Sequence, residues 1–202
     1  MFALIEAAGW PIWPLLLASV ISLAIIGERA WSLRSSVVAP KDLLSQVTQE
    51  FRQQGVSPQL LTRLAGGSPL GQILTAGLKN AKNPPQVMKE ALDDAGRAVA
   101  HELERFLTTL GTIASISPLL GLLGTVIGMI EIFGSQAPSG SNPIVLAHGI
   151  SVALYNTAMG LVVAIPSMIS YRHFRGRVDS LIVEMESQAV RLVEILHGDR
   201  QN

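Results

Sequence analysis

Apolar positions in this chain fall into three long runs set apart by polar, charge-bearing stretches. The first extends from Trp10 to Gly27, the second from Phe106 to Ile130 (FLTTLGTIASISPLLGLLGTVIGMI), and the third from Ile144 to Tyr171 (IVLAHGISVALYNTAMGLVVAIPSMISY). The second and third carry no formal charge and exceed the roughly 20 residues a helix needs to cross a bilayer core of about 30 Å. The first run has no Lys or Arg ahead of it and is followed by Glu28-Arg29, so it reads as an uncleaved span rather than a signal peptide. Trp10, Trp13 and Trp31 bracket it, as amphipathic rings at two interfaces do.

Between the first and second runs lies a polar, helix-compatible insert, Ser32 to Arg105, punctuated by Gly55, Gly66-Gly67-Ser68-Pro69 and Pro84-Pro85. Proline is favoured at the first position of a helix, so Pro69 and Pro85 mark expected starts. From Gln86 onward Met88, Ala91, Ala95, Val99, Leu103 and Phe106 keep helical spacing with no breaker, which predicts a helix continuing straight into the second span. Pro118 removes one backbone bond within that span and is expected to bend it. The connection GSQAPSGSNP is short and turn-rich, making an antiparallel hairpin of the second and third spans. After Arg172-His173-Phe174-Arg175, a stripe of Val178, Leu181, Ile182, Met185, Ala189, Leu192, Val193 and Leu196 predicts an amphipathic helix with an apolar face in need of a partner.

The predicted fold class is therefore all-α: a polytopic membrane protein with three transmembrane helices, the second and third long and extending into the cytoplasm. Its expected organisation is an amino-terminal segment with the first span (1–31), a helical insert (32–105), the second span (106–133), a short outer loop (134–143), the third span (144–171), and an amphipathic helix and tail (172–202).

Composition agrees. The chain is 49% hydrophobic and 15% charged, against about 25% charged in soluble domains. Net charge is zero and informs little, but its placement is decisive. Of the 15 Lys and Arg residues, none precedes the first run and none lies between Gly134 and Pro143. The positive-inside bias then puts the amino end outside, in the periplasm if the membrane is a bacterial inner membrane, and the carboxyl end in the cytoplasm. Cysteine is absent and the four histidines are scattered, so no metal site or cofactor is expected. Phosphate-loop, metalloprotease and serine-hydrolase motifs are missing, and no basic patch alternates with aromatics. These absences point away from an enzyme and from nucleic acid.

Inside the membrane runs, small and polar residues recur at helical spacing. Thr108, Thr112, Ser115, Pro118, Gly121, Thr125 and Gly128 mark one stripe, and Gly149, Ala153, Asn156, Gly160, Ala164 and Ser167 the other, with Thr157 beside them. Two readings stay open. Small residues let helix backbones approach, with Gly121, Gly124, Gly128 and Gly160 packing and Pro118 and Pro166 kinking. Alternatively, the hydroxyls and Asn156 form a polar wall facing a water-accessible path, since a carboxamide is costly to leave unpaired in hydrocarbon. Glu131, at the outer end of the second span, either snorkels to water or helps cations enter; His148 at the same rim reads as solvated. No acidic residue lies at mid-depth, which is awkward for a proton channel acting alone.

Ser117 to Met129 (SPLLGLLGTVIGM), followed by Gly149 to Pro166 (GISVALYNTAMGLVVAIP), closely resembles the MotA/TolQ/ExbB proton channel family, nearest its ExbB/TolQ branch. The resemblance covers both later spans and no motif of the insert. It implies a ring-forming homo-oligomer, a pentamer, around a single-span ExbD- or TolR-like partner whose membrane Asp takes the proton, with a TonB- or TolA-like protein downstream. It further implies a bacterial inner membrane, and that Thr125 and Thr157 face the partner's Asp. Many relatives carry Glu where this chain has Val152 and Ala where it has Asn156, so the expected polar contact here is Asn156 with Thr157. The competing expectation is a non-conducting scaffold of a transport complex; a small-solute transporter would ordinarily show internal repeats and more spans.

Overall fold

The computed structural model describes residues 10–134 and 143–198, and all regular structure there is α-helical. Residues 1–9 of the expected amino-terminal segment, most of the outer loop (135–142) and the last four residues lie outside the described residues. In chain order the helices are α1 (Ile12–Ser32), α2 (Ser35–Val38), α3 (Leu43–Gln54), α4 (Pro58–Gly67), α5 (Pro69–Lys79), α6 (Pro85–Glu104), α7 (Leu107–Gly134) and α8 (Pro143–Leu196). Two compact units share them. One comprises the chain up to Glu28 with Phe106–His173, and the other Arg29–Arg105 with the chain from Phe174 on.

In the first unit, α1, α7 and the start of α8 each bury one narrow stripe and expose the rest. Ile12, Leu15, Ser22 and Ile25 are buried on α1; Leu107, Leu110, Ala114 and Ser117 on α7; Ala153, Asn156, Val163, Ala164 and Ser167 on α8. Only 28%, 22% and 33% of the three apolar windows is buried within the chain. That leaves Leu17, Val20, Leu119, Val126, Ile130, Val162 and Ile165 exposed. An apolar surface so extensive is untenable in water and natural against lipid or further subunits. Three helices are long and apolar enough to span a membrane, and the protein is a multi-pass membrane protein. A helix of 54 residues such as α8 measures about 80 Å at 1.5 Å per residue. More than half of it therefore lies beyond the hydrocarbon core.

The second unit is built on caps and prolines. Pro69 and Pro85 open α5 and α6 as expected, and Pro58 opens α4 as well. Ser57 Oγ accepts from Leu60 N–H (3.2 Å) and Ser68 Oγ from Gly71 N–H (3.1 Å), satisfying amides that a helix start leaves free. Helix α5 is the hub: Leu70, Ile73, Leu74 and Leu78 are buried on it, and it packs against α2, α4 and α6. Gly77 sits where a Cβ would press on Leu92, Leu192 and Met88 at 2.9–3.2 Å, so α5 lies close to both α6 and α8 there. Val178, Leu181, Met185, Ala189, Leu192 and Val193 of α8 are buried in the same core, which gives the predicted apolar stripe its partner within the chain.

Arginines secure the helix ends of this unit. Arg29, 7% exposed, donates to Leu103 O at the end of α6 (3.2 Å), and Arg177 donates to Leu33 O just past α1 (3.3 Å) and to Ser35 Oγ. A cation at a helix carboxyl end meets unsatisfied carbonyls and the negative pole of the helix dipole. Arg175 pairs with Glu104 (2.9 Å). The exposed Arg63–Glu50 pair (2.6 Å) raises the guanidinium pKa through its hydrogen bond, but such surface pairs add little stability.

One expectation fails. The helix through Met88 and Leu103 does not run on into the second span: α6 stops at Glu104, Arg105 is extended (φ −51°, ψ 139°), and Phe106 is left-handed (φ 64°) before α7 starts. The left-handed region is normally taken by Gly or Asn. A break carried by a phenylalanine has no compositional signal, and the unbroken apolar spacing through Leu103 and Leu107 hides it.

Gly96 lies inside α6, with nothing within 4 Å of where a Cβ would go. Gly96→Ala should therefore raise stability by about 0.5–1 kcal/mol, by removing backbone freedom from the unfolded chain. A thermal melt of the detergent-solubilised protein checks this, and a lowered midpoint would contradict it.

Candidate functional site

The uncharged seam between α7 and α8 is the site the sequence singled out, and its geometry is set by glycines. A Cβ on Gly160 would lie 2.6 Å from Ser117 O; on Gly121, 2.6 Å from Asn156 O and 2.9 Å from Thr157 Cα. On Gly124 it would meet the Asn156 side chain at 2.7–3.0 Å, on Gly128 the Ala153 Cβ at 3.2 Å, and on Gly149 the Ile132 side chain at 2.6 Å. Contact partners climb α7 as they descend α8, so the two helices are antiparallel, as the short hairpin predicted. Real Cβ atoms do not approach as closely as the one Gly121 would carry. Only a hydrogen there allows this backbone spacing.

Asn156 sits in the middle of the seam, 2% exposed, with its side chain laid over Gly124. For this residue and for Gly121, Gly124 and Gly160, close packing describes the single chain. Thr125 and Thr157 differ. Both are half-buried, and each follows a seam residue by one position, Gly124 and Asn156 respectively. In an antiparallel pair, a one-residue advance rotates both side chains by about 100° towards the same edge of the seam. The two threonines therefore flank one edge at about the same depth.

The hydroxyls bond locally. Thr125 Oγ1 donates to Leu122 O (2.6 Å), Thr112 to Thr108 O (2.8 Å), Ser115 to Gly111 O (2.8 Å) and Ser117 to Ile113 O (2.7 Å). With their hydrogens held by their own helix, Thr112, Ser115 and Thr125 present lone pairs outward, whereas Ser117 is buried. Thr108, Thr112 and Ser115 are exposed on α7, outside the buried stripe of Leu110, Ala114 and Ser117. A shallow hollow of about 490 Å³ lined by Thr125, Val126, Met129, Ile130 and Phe133 lies next to Thr125, apolar but for that hydroxyl. Helix α7 continues through Pro118 and α8 through Pro166, whose missing amides release the carbonyls of Ala114 and Val162.

Glu131 and His148 are both exposed, near the end of α7 and the start of α8. Sequence reading passed over Ser22. Its Oγ lies 2.6 Å from Ser167 Oγ in a buried bond joining α1 to α8. As one of two hydroxyls in an apolar run, with Ser19, Ser22 offered only a weak signal. No cluster of His, Asp and Glu suited to a metal occurs among the described residues.

The family model of the MotA/TolQ/ExbB proton channel family matches residues 66–187, a stretch that contains the whole α7–α8 seam. The chain belongs to this family. It is 33% identical over 189 residues to the biopolymer transport protein exbB1 of Vibrio cholerae, covering 90% of this chain and 82% of the relative. The Tol-Pal system protein TolQ of Pseudomonas aeruginosa is 34% identical over 200 residues, covering 91% and 84%. An ExbB-like protein of Synechocystis is 33% identical over 183 residues, covering 87% and 86%. With three apolar helices and this membership, the chain is a multi-pass inner-membrane protein of the proton-channel, stator type, in a family that energises transport and is not known for enzymes.

Proposed function

We propose that this chain is the proton-conducting wall of an energy-transducing complex, assembled as a homo-oligomeric ring, a pentamer, around a single-span ExbD/TolR-like partner. The observation that carries the proposal is an intramembrane seam with hydroxyls at one edge and no carboxylate at mid-depth, inside the stretch matched by a proton-channel family. The titrating group is then an Asp of the partner. Its amino end is periplasmic, and residues 32–105 and 172–202 are cytoplasmic, in keeping with the placement of Lys and Arg.

In this mechanism Thr125 and Thr157 face the partner's Asp. A hydroxyl whose hydrogen is committed to Leu122 O accepts from the protonated carboxyl; once the proton leaves, the hydroxyl turns and donates to the carboxylate. Asn156, directly behind Thr157, steadies that edge with its amide dipole. The wall thereby lowers the cost of a charge in a medium where an unsolvated ion is expensive. Each proton crossing 100 mV releases about 2.3 kcal/mol, and a few protons per step suffice to move the partner, whose outer part would act on a TonB/TolA-like protein.

The test is reconstitution of the chain in liposomes with a single-span subunit encoded beside it. Potential-driven proton uptake should require both subunits and vanish when the partner's membrane Asp becomes Asn. Uptake no greater than that of empty liposomes would leave a non-conducting scaffold. Full coupling by Asn156→Leu would remove Asn156 from this role.

A further inference from the structure

The second unit carries a feature that proton conduction does not use. A groove of about 1080 Å³ runs between α3 and the carboxyl-terminal part of α8. Lys41, Arg52 and Arg191 line it against a single carboxylate, Glu184. All three cations are exposed, and none forms an ion pair among the described residues. Gln188, also in the lining, is 9% exposed, and its Oε1 meets no hydrogen-bond donor among the described residues.

The same unit carries the opposite charge elsewhere. Glu90 and Asp94 stand one turn apart on α6, both exposed; neither lies within ion-pair distance of a cation among the described residues, although Arg97, paired with Asp93, is near enough to Asp94 to feel its charge. No α6 residue lines the groove, so a single chain does not bring the two surfaces together.

We infer that the groove between α3 and α8 receives the Glu90/Asp94 face of α6 from a second copy of this chain. This inference rests on the ring reading above and assigns the surfaces that build the ring. Groove and acidic face are different patches, so the contact is head-to-tail. Each copy gives one and receives the other, and such contacts close into a ring where the rotation per copy allows. Charge complementarity fixes the register between copies and disfavours groove-to-groove or face-to-face pairing, where like charges would meet.

The experiment is a charge swap in the full-length, detergent-solubilised chain, read by native mass spectrometry across a dilution series. Reversing the groove (K41E, R52E, R191E) should raise the concentration for half-assembly by about tenfold or more, and so should reversing the acidic face (E90K, D94K). Joining both sets in one chain should restore assembly. That rescue cannot come from misfolding, and circular dichroism of each variant provides the folding control. Folded reversals that leave a wild-type ring unchanged would overturn the inference and leave the ring reading standing. A wild-type chain that stays monomeric at every concentration would sink both. A ring that survives the reversals but loses its single-span partner would assign the groove to that partner instead, and the inference would fail.

Discussion

Thr125→Val with Thr157→Val should cut partner-dependent proton flux by about 100-fold, and each single change by about tenfold, if each hydroxyl contributes the ~1.5–3 kcal/mol typical of hydrogen bonds to charged groups. Valine keeps the shape of threonine, and the lost bond of Thr125 runs only to Leu122 O of its own helix. Abundance and melting temperature should therefore stay close to wild type. Thr→Ser at either site restores a hydroxyl and should recover most of the flux. The measurement is fluorescence-monitored acidification of liposomes with the partner present. Unchanged flux through the Val/Val protein would show that this edge of the seam does not touch the proton's path, whatever the ring looks like.

The second large effect is steric and falls on stability. Gly121→Val should destabilise the chain by about 3 kcal/mol or more, beyond the usual range for overpacking, because the first atom added meets backbone and not a movable side chain. Its Cβ would lie 2.6 Å from Asn156 O and 2.9 Å from Thr157 Cα. Gly160→Ala meets Ser117 O at 2.6 Å and should behave similarly. Gly124→Ala presses on the Asn156 side chain, which can turn, and should cost about 1–2 kcal/mol. At Gly128 the nearest atom is the Ala153 Cβ at 3.2 Å, so alanine there should cost less than at Gly160; at Gly27 there is nothing within 4 Å, and alanine should be nearly neutral. Thermal midpoints of the five proteins in one detergent give the ranking. A Gly128→Ala as damaging as Gly160→Ala would mean that the seam is packed otherwise than described.

Much of this molecule was legible beforehand because a bilayer imposes a simple rule on sequence. Every backbone group in hydrocarbon must be paired internally, so an uncharged run of sufficient length has few options besides a helix. The three spans follow from that, and the proline-opened helices α5 and α6 from the geometry of a helix start. Periodicity marked the small residues and the apolar stripe of α8. It could not say which stripe packs within the chain and which faces outward, because glycine, serine and threonine suit both. Hence Asn156 proved a buried seam residue, while Thr125 and Thr157, one position away from the seam, stand at its edge.

The break at Phe106 shows the limit most sharply. Local spacing from Met88 through Leu110 is that of one helix, and no glycine, asparagine or proline stands at Arg105–Phe106 to warn otherwise. The left-handed residue stands where the chain passes from α6, packed beside α5 in one unit, to α7, packed in the seam of the other, and neither packing is local. Sequence by itself determined the three spans, the helix starts at Pro69 and Pro85, the medium the spans occupy and the family, since each is written in composition and spacing along a single segment. Tertiary structure alone decided the register of α7 on α8, the Ser22–Ser167 bond, the arginine caps and the interruption at Arg105–Phe106, since these depend on pairs of residues far apart in the chain whose meeting no one-dimensional pattern encodes.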